Sequence, residues 1–500
     1  MKKIYWIFLL GCFTFRLVAQ SSHPCLTTPE MQIQIKKRML ENRKVWQNNV
    51  ASTASTPVYI PVRFWLTANS DGTDRYVKYL ELFQFFCTTN ACIGNESIQF
   101  FIKEINENLN NSLVHKDPLG QGLWAIIDST KLRHDAINIF LTDFIHPTAG
   151  AIFSFNHDFI LLDDHYVQKE SGILCHELGH YFSLPHTSGD WLDYQCNIPT
   201  LDQRKGMLFP EYVTRTKVDS NGIQICNYAG DGFCDTEADY GEAMNPSTPC
   251  NYTGCAKDPD LFNLNPDLSN PMTIGSYITC FDSFSTHQKQ AILFDFLSPH
   301  RDYIKTIYTP KGEAIEPKYL APLDKHQFAG NDSLKFDWED APNATDYILE
   351  IAHNRGFNLN LFQFKTTQSE FLVTNLLPKK VFYWRVLAYN SNSYCLNDPQ
   401  ISIFTTGALT TENKEAFNKK TNYTVHKIPN SNQLRIQFTS EWNHPILFSL
   451  FDLNGTLVYK KTIVDRVIEL DQSSLIPGMY LFKYTTPEHI EVFSKLLINF

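Results

Sequence analysis

The stretch Gly172-Ile173-Leu174-Cys175-His176-Glu177-Leu178-Gly179-His180-Tyr181-Phe182-Ser183-Leu184-Pro185-His186 decides how the rest of the chain is read. At 3.6 residues per turn His176 and His180 share one helix face, where both imidazoles can meet one cation at about 2.0 Å. Glu177 stands beside them, placed to take a proton from a metal-bound water and return it to a leaving amine. A catalytic metal needs a third protein ligand and an open position, and His186 is the candidate. A straight helix would carry it away, but Pro185 disfavours helix at Leu184, so the chain turns and His186 can fold back. In a chain of this composition the three histidines and the acid are expected by chance only about 0.002 times.

Outward from that stretch, residues 57–309 mix short apolar runs (123–127, 136–141, 159–162) with helical patterns such as 98–109, the reading of a mixed α/β domain. A strand is expected over 58–64. Residues 20–56 read as a pro-segment or N-terminal arm with one helix around Pro29 to Gln47. From 316 to 407 strands alternate with turns, residues 408–422 form a polar linker, and residues 423–500 hold a second short β unit. The expected fold class is a multidomain α+β chain: a mixed α/β catalytic domain followed by two all-β sandwich domains.

The chain's 500 residues and 43% hydrophobic content suit several cores, and 14% aromatics suit β-rich ones. A net charge of -10 disfavours nucleic acid as a partner. Lys2, Lys3, the apolar 4–10 run and Leu17-Val18-Ala19 read as a signal peptide over 1–19, with a lipoprotein box ending at Cys12 as the alternative. No later stretch is long and apolar enough for a transmembrane segment.

Twelve cysteines in an exported chain suggest disulfides. Losing Cys12 leaves an odd number, and Cys175 is the expected unpaired thiol, packed as a small hydrophobe. Cys87 with Cys92 is expected to close a short loop, while Cys196, Cys226, Cys234, Cys250, Cys255 and Cys280 staple the segment after the helix. For Cys25 two readings stand: a thiolate on the metal's open position that keeps an enzyme latent, or a disulfide or inert thiol.

The histidine-glutamate stretch resembles the signature of the metzincin zinc proteases, HExxHxxGxxH followed by a Met-turn. Ser183 stands where that family has glycine, which eases a left-handed turn. Met272, in Ser269-Asn270-Pro271-Met272-Thr273-Ile274-Gly275-Ser276-Tyr277, is the Met-turn candidate, with core packing as its other reading. Ile274 holds the place of a family tyrosine, and Tyr277 is a candidate transition-state stabiliser in its stead. Gly230-Asp231-Gly232-Phe233-Cys234-Asp235-Thr236-Glu237 and Cys280 with Phe284-Ser285-Thr286-His287-Gln288 are similar, more narrowly, to pappalysin segments. That resemblance implies a secreted endopeptidase with Zn2+, His176, His180 and His186 as ligands and Glu177 as general base, acting on protein or peptide substrates. It also makes Asp231 and Asp235 candidate Ca2+ ligands, against a reading as solvated loop acids.

Phe336-Asp337-Trp338, the run Tyr347-Ile348-Leu349-Glu350-Ile351-Ala352 and Phe382-Tyr383-Trp384-Arg385-Val386-Leu387-Ala388 resemble fibronectin type III strands, with Trp338 as core anchor and Phe382 where a tyrosine corner would sit. Such a domain would space the catalytic domain or bind substrate or glycan. Asp452-Leu453-Asn454-Gly455, Leu475-Ile476-Pro477-Gly478-Met479-Tyr480 and the Lys495-Leu496 pair are similar to the C-terminal sorting domains of type IX secretion. This implies a Bacteroidetes-type source, the secretion machinery as partner, and a secreted or cell-surface location. A non-catalytic surface adhesin or binding protein with a protease-like domain is the alternative function.

Overall fold

In the computed structural model the described residues are 25, 27–47, 57–93, 98–127, 134–143, 150–168, 171–188, 210–241, 250–274, 279–407 apart from 332, 375 and 398, and strands between 423 and 498. The expected signal peptide, Tyr277 and the 408–422 linker lie outside them.

The chain runs α1 (Pro29–Gln47), β1 (Val58–Leu66), α2 (Tyr79–Ile93), β2 (Ile98–Asn106), α3 (Ser112–Lys116), α4 (Gln121–Ile127), β3 (Ile137–Thr142), β4 (Ala151–Ser154), β5 (Phe159–Asp163), α5 (Ile173–Tyr181) and α6 (Thr286–Leu297). The five strands form one sheet in the order β2-β1-β3-β5-β4, parallel except for β4, which pairs antiparallel at the edge. β3 and β5 are buried on both faces, as parallel strands under helices must be.

Two sequence expectations are corrected here. The 98–109 pattern forms strand β2, not a helix: Ile98, Phe101, Ile102 and Ile105 mimic helical spacing, but aromatic and β-branched side chains paired alongside β1 favour the sheet. Residues 123–127 sit in helix α4 rather than forming a run of their own.

Eight strands follow: β6 (Tyr319–Ala321), β7 (His326–Gln327), β8 (Leu334–Trp338), β9 (Asp346–Ala352), β10 (Phe362–Thr366), β11 (Glu370–Val373), β12 (Val381–Tyr389) and β13 (Ser402–Thr405). They make two sheets, β10-β9-β12-β13-β7 and β11-β8-β6, enclosing Phe336, Trp338, Phe382, Trp384 and Phe404. Trp338 is the core anchor expected of it, 1% exposed.

A freely tethered spacer is not what the structure shows. Ile348, Leu387, Tyr389 and Tyr394 of the sandwich belong to the same apolar cluster as α2 and the first sheet. Tyr394 stacks on Phe86, its hydroxyl bonds the Phe100 carbonyl, and a Cys87–Cys395 disulfide crosses the junction.

The last unit holds β14 (Tyr423–Lys427), β15 (Gln433–Phe438), β16 (Ile446–Phe451), β17 (Leu457–Ile463), β18 (Val467–Asp471), β19 (Gly478–Thr485) and β20 (Glu491–Ile498). These form sheets β14-β15-β18 and β17-β16-β19-β20 around Ile436, Phe438, Phe448, Ile468 and Phe482.

The cysteine expectations are also corrected. Cys175 is bonded to Cys92, and Cys87 to Cys395. Cys87 and Cys92 both lie on α2, where five residues put them about 140° apart around the axis, so they reach different partners. Cys175 points off the back of α5 toward α2 and so pins the two helices together. Cys226–Cys234 and Cys250–Cys280 staple the later segment, and Cys255 is also disulfide-bonded. Among the described residues the free thiol is Cys25.

Candidate metal centre

Helix α5 supplies two of the three imidazoles, and the turn after it supplies the third. The helix stops at Tyr181, after which Ser183 takes a left-handed backbone with φ 65° and the Leu184 amide reaches back to the Gly179 carbonyl. The position that the resemblance gives to glycine therefore adopts the glycine conformation. Its Oγ, itself 1% exposed, donates to Asp295 of α6, which offsets part of the strain.

The turn brings His186 back under the helix end. Ring centroids of His176, His180 and His186 are 4.6, 5.2 and 4.7 Å apart, and all three side chains are buried. His176 Nδ1 donates to the Pro271 carbonyl at 2.5 Å, and His180 Nδ1 donates to the Leu184 carbonyl at 2.9 Å. A carbonyl can only accept, so in both rings the proton sits on Nδ1 and Nε2 carries the lone pair. His180 Nε2 and His186 Nε2 lie 3.0 Å apart, and His176 Nε2 has no hydrogen-bond partner. Buried lone pairs converging in this way fit a cation between them, and three imidazoles match zinc's preference.

Burial depresses the basicity of the rings, lowering His176 to about 4, and burial with the neighbouring His176 takes His180 well below its usual range. They are thus neutral ligands near pH 7. Glu177 is fully buried with neither carboxylate oxygen hydrogen-bonded, and its pKa is pushed up to about 8 by burial. The Cys25 thiol and the Phe153 backbone of edge strand β4 face it.

Beneath the helix, Met272 is 0% exposed, and a Cβ on Gly179 would come within 2.4 Å of its Sδ. Only glycine at 179 lets this methionine approach. The segment around it orients the site through the Pro271 carbonyl on His176, while the Met272 carbonyl accepts from the Thr187 amide at 3.0 Å. Ile274 is buried.

The N-terminal arm lies across this centre. Cys25 makes a parallel bridge to Ala151 on β4, and its Sγ falls with one nitrogen of each of His176, His180 and His186 in a set whose members lie within 4.8 Å of one another. Gln32 Oε1 accepts from the His186 amide at 2.9 Å. Further along α1, Ile35 and Met39 enter the core, Lys36 bonds the Gly230 carbonyl and Arg43 bonds the Gly232 carbonyl. The sequence offered no signal for Gln32.

Of the two candidate calcium ligands only Asp231 departs from the reading as a solvated loop acid, for Asp235 is exposed. Asp235 caps α6, accepting from Ser285 Oγ and the His287 amide. Asp231 is fully buried and accepts from the Phe233 amide and Thr236 Oγ1. Among the described residues neither belongs to a metal-sized cluster.

Residues 427–499 match the family model of the secretion system C-terminal sorting domain. A Tannerella forsythia promirolysin mutant is similar over 56% of this chain and 96% of its own, at 14% identity and a TM-score of 0.37. The FN5 domain of Drosophila Lar matches 20% of this chain and 99% of its own, at 19% identity and a TM-score of 0.15. The 6th fibronectin type III domain of a human protein matches 21% and 93%, at 14% identity and the same TM-score of 0.15. At such scores the fold descriptions above rest on the chain's own strands. No curated protein matches the chain. Among the described residues no helix is long and apolar enough to cross a membrane. The C-terminal unit is a type IX sorting domain, and the chain is exported to the cell exterior or surface.

Proposed function

We propose that this exported chain is a zinc-dependent metalloendopeptidase of the pappalysin type, in which His176, His180 and His186 hold the ion and Glu177 is the general base. The observation that carries the reading is the convergence of three buried Nε2 atoms beside a buried, unpaired glutamate. Bound there, zinc would polarise a scissile carbonyl and acidify a water to a pKa of about 7. Glu177 would take a proton from the attacking water and hand it to the leaving amine; burial gives it a basicity suited to neutral pH. Edge strand β4 offers unpaired backbone to an extended substrate, the same edge that Cys25 occupies through Ala151. Met272 forms the floor of the site, and Tyr277 is its candidate transition-state stabiliser. A role for Ca2+ at Asp231 draws no support from the geometry.

The arm over residues 20–56 acts, in this reading, as a latency segment, with Cys25 covering the open position and Gln32 holding the His186 loop. Cys25→Ala in the full chain raises protein cleavage several-fold with zinc content unchanged; equal activity in both forms contradicts latency. The function itself is tested by digesting denatured proteins with the arm-processed enzyme. Activity disappears on chelation and returns with zinc, and Glu177→Ala lowers the rate by about 10²–10⁴. A zinc-loaded chain that cuts nothing favours the adhesin alternative.

A further inference from the structure

A second group of metal-ligating side chains gathers at the C-terminal ends of the three central strands, where β1, β3 and β5 end together. Leu66 of β1 pairs with Leu141, and Thr142 of β3 pairs with Asp163. The residues that follow, Thr67, Asp143 and Asp164, therefore emerge side by side. His115 of α3 packs over them with Nδ1 2.8 Å from Thr67 Oγ1, and Asp74 reaches in from the loop after β1. Ligand atoms of Asp74, His115 and Asp143 lie within 4.8 Å of one another, as do those of Asp143, Asp164 and His165. Asp143 is common to both sets.

Two buried atoms in this group have no hydrogen bond to account for them. Asp164 is 2% exposed and its Oδ1 accepts none; His115 is 0% exposed and its Nε2 makes none. Leaving such groups dry and unpaired is costly. His165 Nδ1 is 3.2 Å from Asp164 Oδ1, but its hydrogen bond goes to Asp163 Oδ1 at 3.0 Å; its Nε2 is 4.0 Å from Asp143 Oδ1. The local cation is Lys116, whose Nζ lies 2.5 Å from both Asp74 Oδ2 and Asp143 Oδ2. One lysine thus serves a cluster that holds Asp74, Asp143, Asp163 and Asp164, and it bonds neither of the last two.

We infer that this cluster is a second divalent-cation site, distinct from the helix centre, taking a zinc-class ion through Asp143, Asp164 and the imidazole of His165, whose ligand atoms lie within 4.8 Å of one another. An imidazole beside two carboxylates favours a borderline ion over calcium, which prefers an all-oxygen shell. Lys116 is 40% exposed and can swing into solvent as the ion replaces it. The site's role is structural: Asp164 opens the short turn from β5 toward α5, so an ion here ties three strand ends to the chain that leads into the metal helix.

The experiment uses the full exported chain carrying His176→Ala and His180→Ala, which removes the helix centre and needs no activity readout. After equilibration with Zn2+ alone and desalting, one zinc per chain should remain, and Tm should rise with added Zn2+ but not with Ca2+. Adding Asp143→Asn and Asp164→Asn should abolish both signals. As a variant that leaves the carboxylates in place, Lys116→Ala is measured as well: removing the competing charge should tighten zinc binding by about tenfold or more. No retained zinc and no Tm response overturns the site; a response to Ca2+ alone overturns the ion class. Binding that is unchanged or weaker in Lys116→Ala shows the lysine to be the cluster's own counter-ion and overturns the proposal too.

Discussion

The two clusters, one on α5 and the turn after it, the other where β1, β3 and β5 end, use similar side chains in different states of readiness. At the helix centre two rings are fixed by backbone carbonyls, and the ligand nitrogens already converge. At the strand-end cluster His115 is anchored by Thr67, but Lys116 holds the outer oxygens of two carboxylates and His165 is half exposed. The difference teaches that a gathering of ligands is not yet a binding site of given strength. Strength comes from how much reorganisation the ion must drive, and the helix centre needs less.

The largest effect that sharpens this contrast is His180→Ala. It should weaken zinc binding at the helix centre by more than the 10–100-fold typical of losing an outer-shell partner, measured by competition with a chromogenic chelator. Zinc at the strand ends should be unaffected.

Next comes the support behind the helix. Arg301 is 0% exposed, pairs with Asp295 and Asp158, lies 3.9 Å over the Tyr181 ring and donates to the Tyr181 carbonyl. Arg301→Ala strands Asp295 in the interior and should cost about 3–5 kcal/mol in denaturant unfolding. Gly179→Ala pushes a methyl into Met272 and should cost about 1–3 kcal/mol. At Ser183, glycine relieves the left-handed strain while losing the Asp295 bond, whereas alanine loses the bond and keeps the strain. Ser183→Gly should therefore be the milder change, by about 1 kcal/mol.

A separate effect concerns pH at the strand ends. Burial first, then the neighbouring Asp163 and Asp143 charges, push Asp164 from its ordinary 3.8 to about 8. A carboxyl raised on folding favours the folded state below pH 3.8, and that advantage fades as pH climbs toward 8. Metal-free wild type should lose stability relative to Asp164→Asn across that window, and zinc should remove the difference. Parallel unfolding curves for the two proteins would break the comparison.

Much of the helix centre was legible because its ligands are close in sequence. Helical periodicity aligns His176 with His180, and Pro185 announces the turn that returns His186. The strand-end cluster had no such signature: Asp74, His115, Asp143 and Asp164 come together only through the parallel registers of three strands. The same distance in sequence hid the pairing of Cys175 with Cys92 and of Cys87 with Cys395. Strand β2 was misread because its apolar residues fall at helical intervals, and only pairing with β1 decides between the two forms. The sandwich strands were readable from alternation and aromatic content, but their docking on α2 depends on a surface, that of Tyr389 and Tyr394, which no local pattern marks.

The central claim is that three histidines hold zinc while Glu177 moves the proton. It is tested most directly by comparing Glu177→Ala with wild type, both freed of the arm, for bound zinc and for cleavage of a denatured protein. The account predicts equal zinc in the two proteins, with turnover in wild type only. Equal turnover in both, or zinc lost together with the carboxylate, would contradict it.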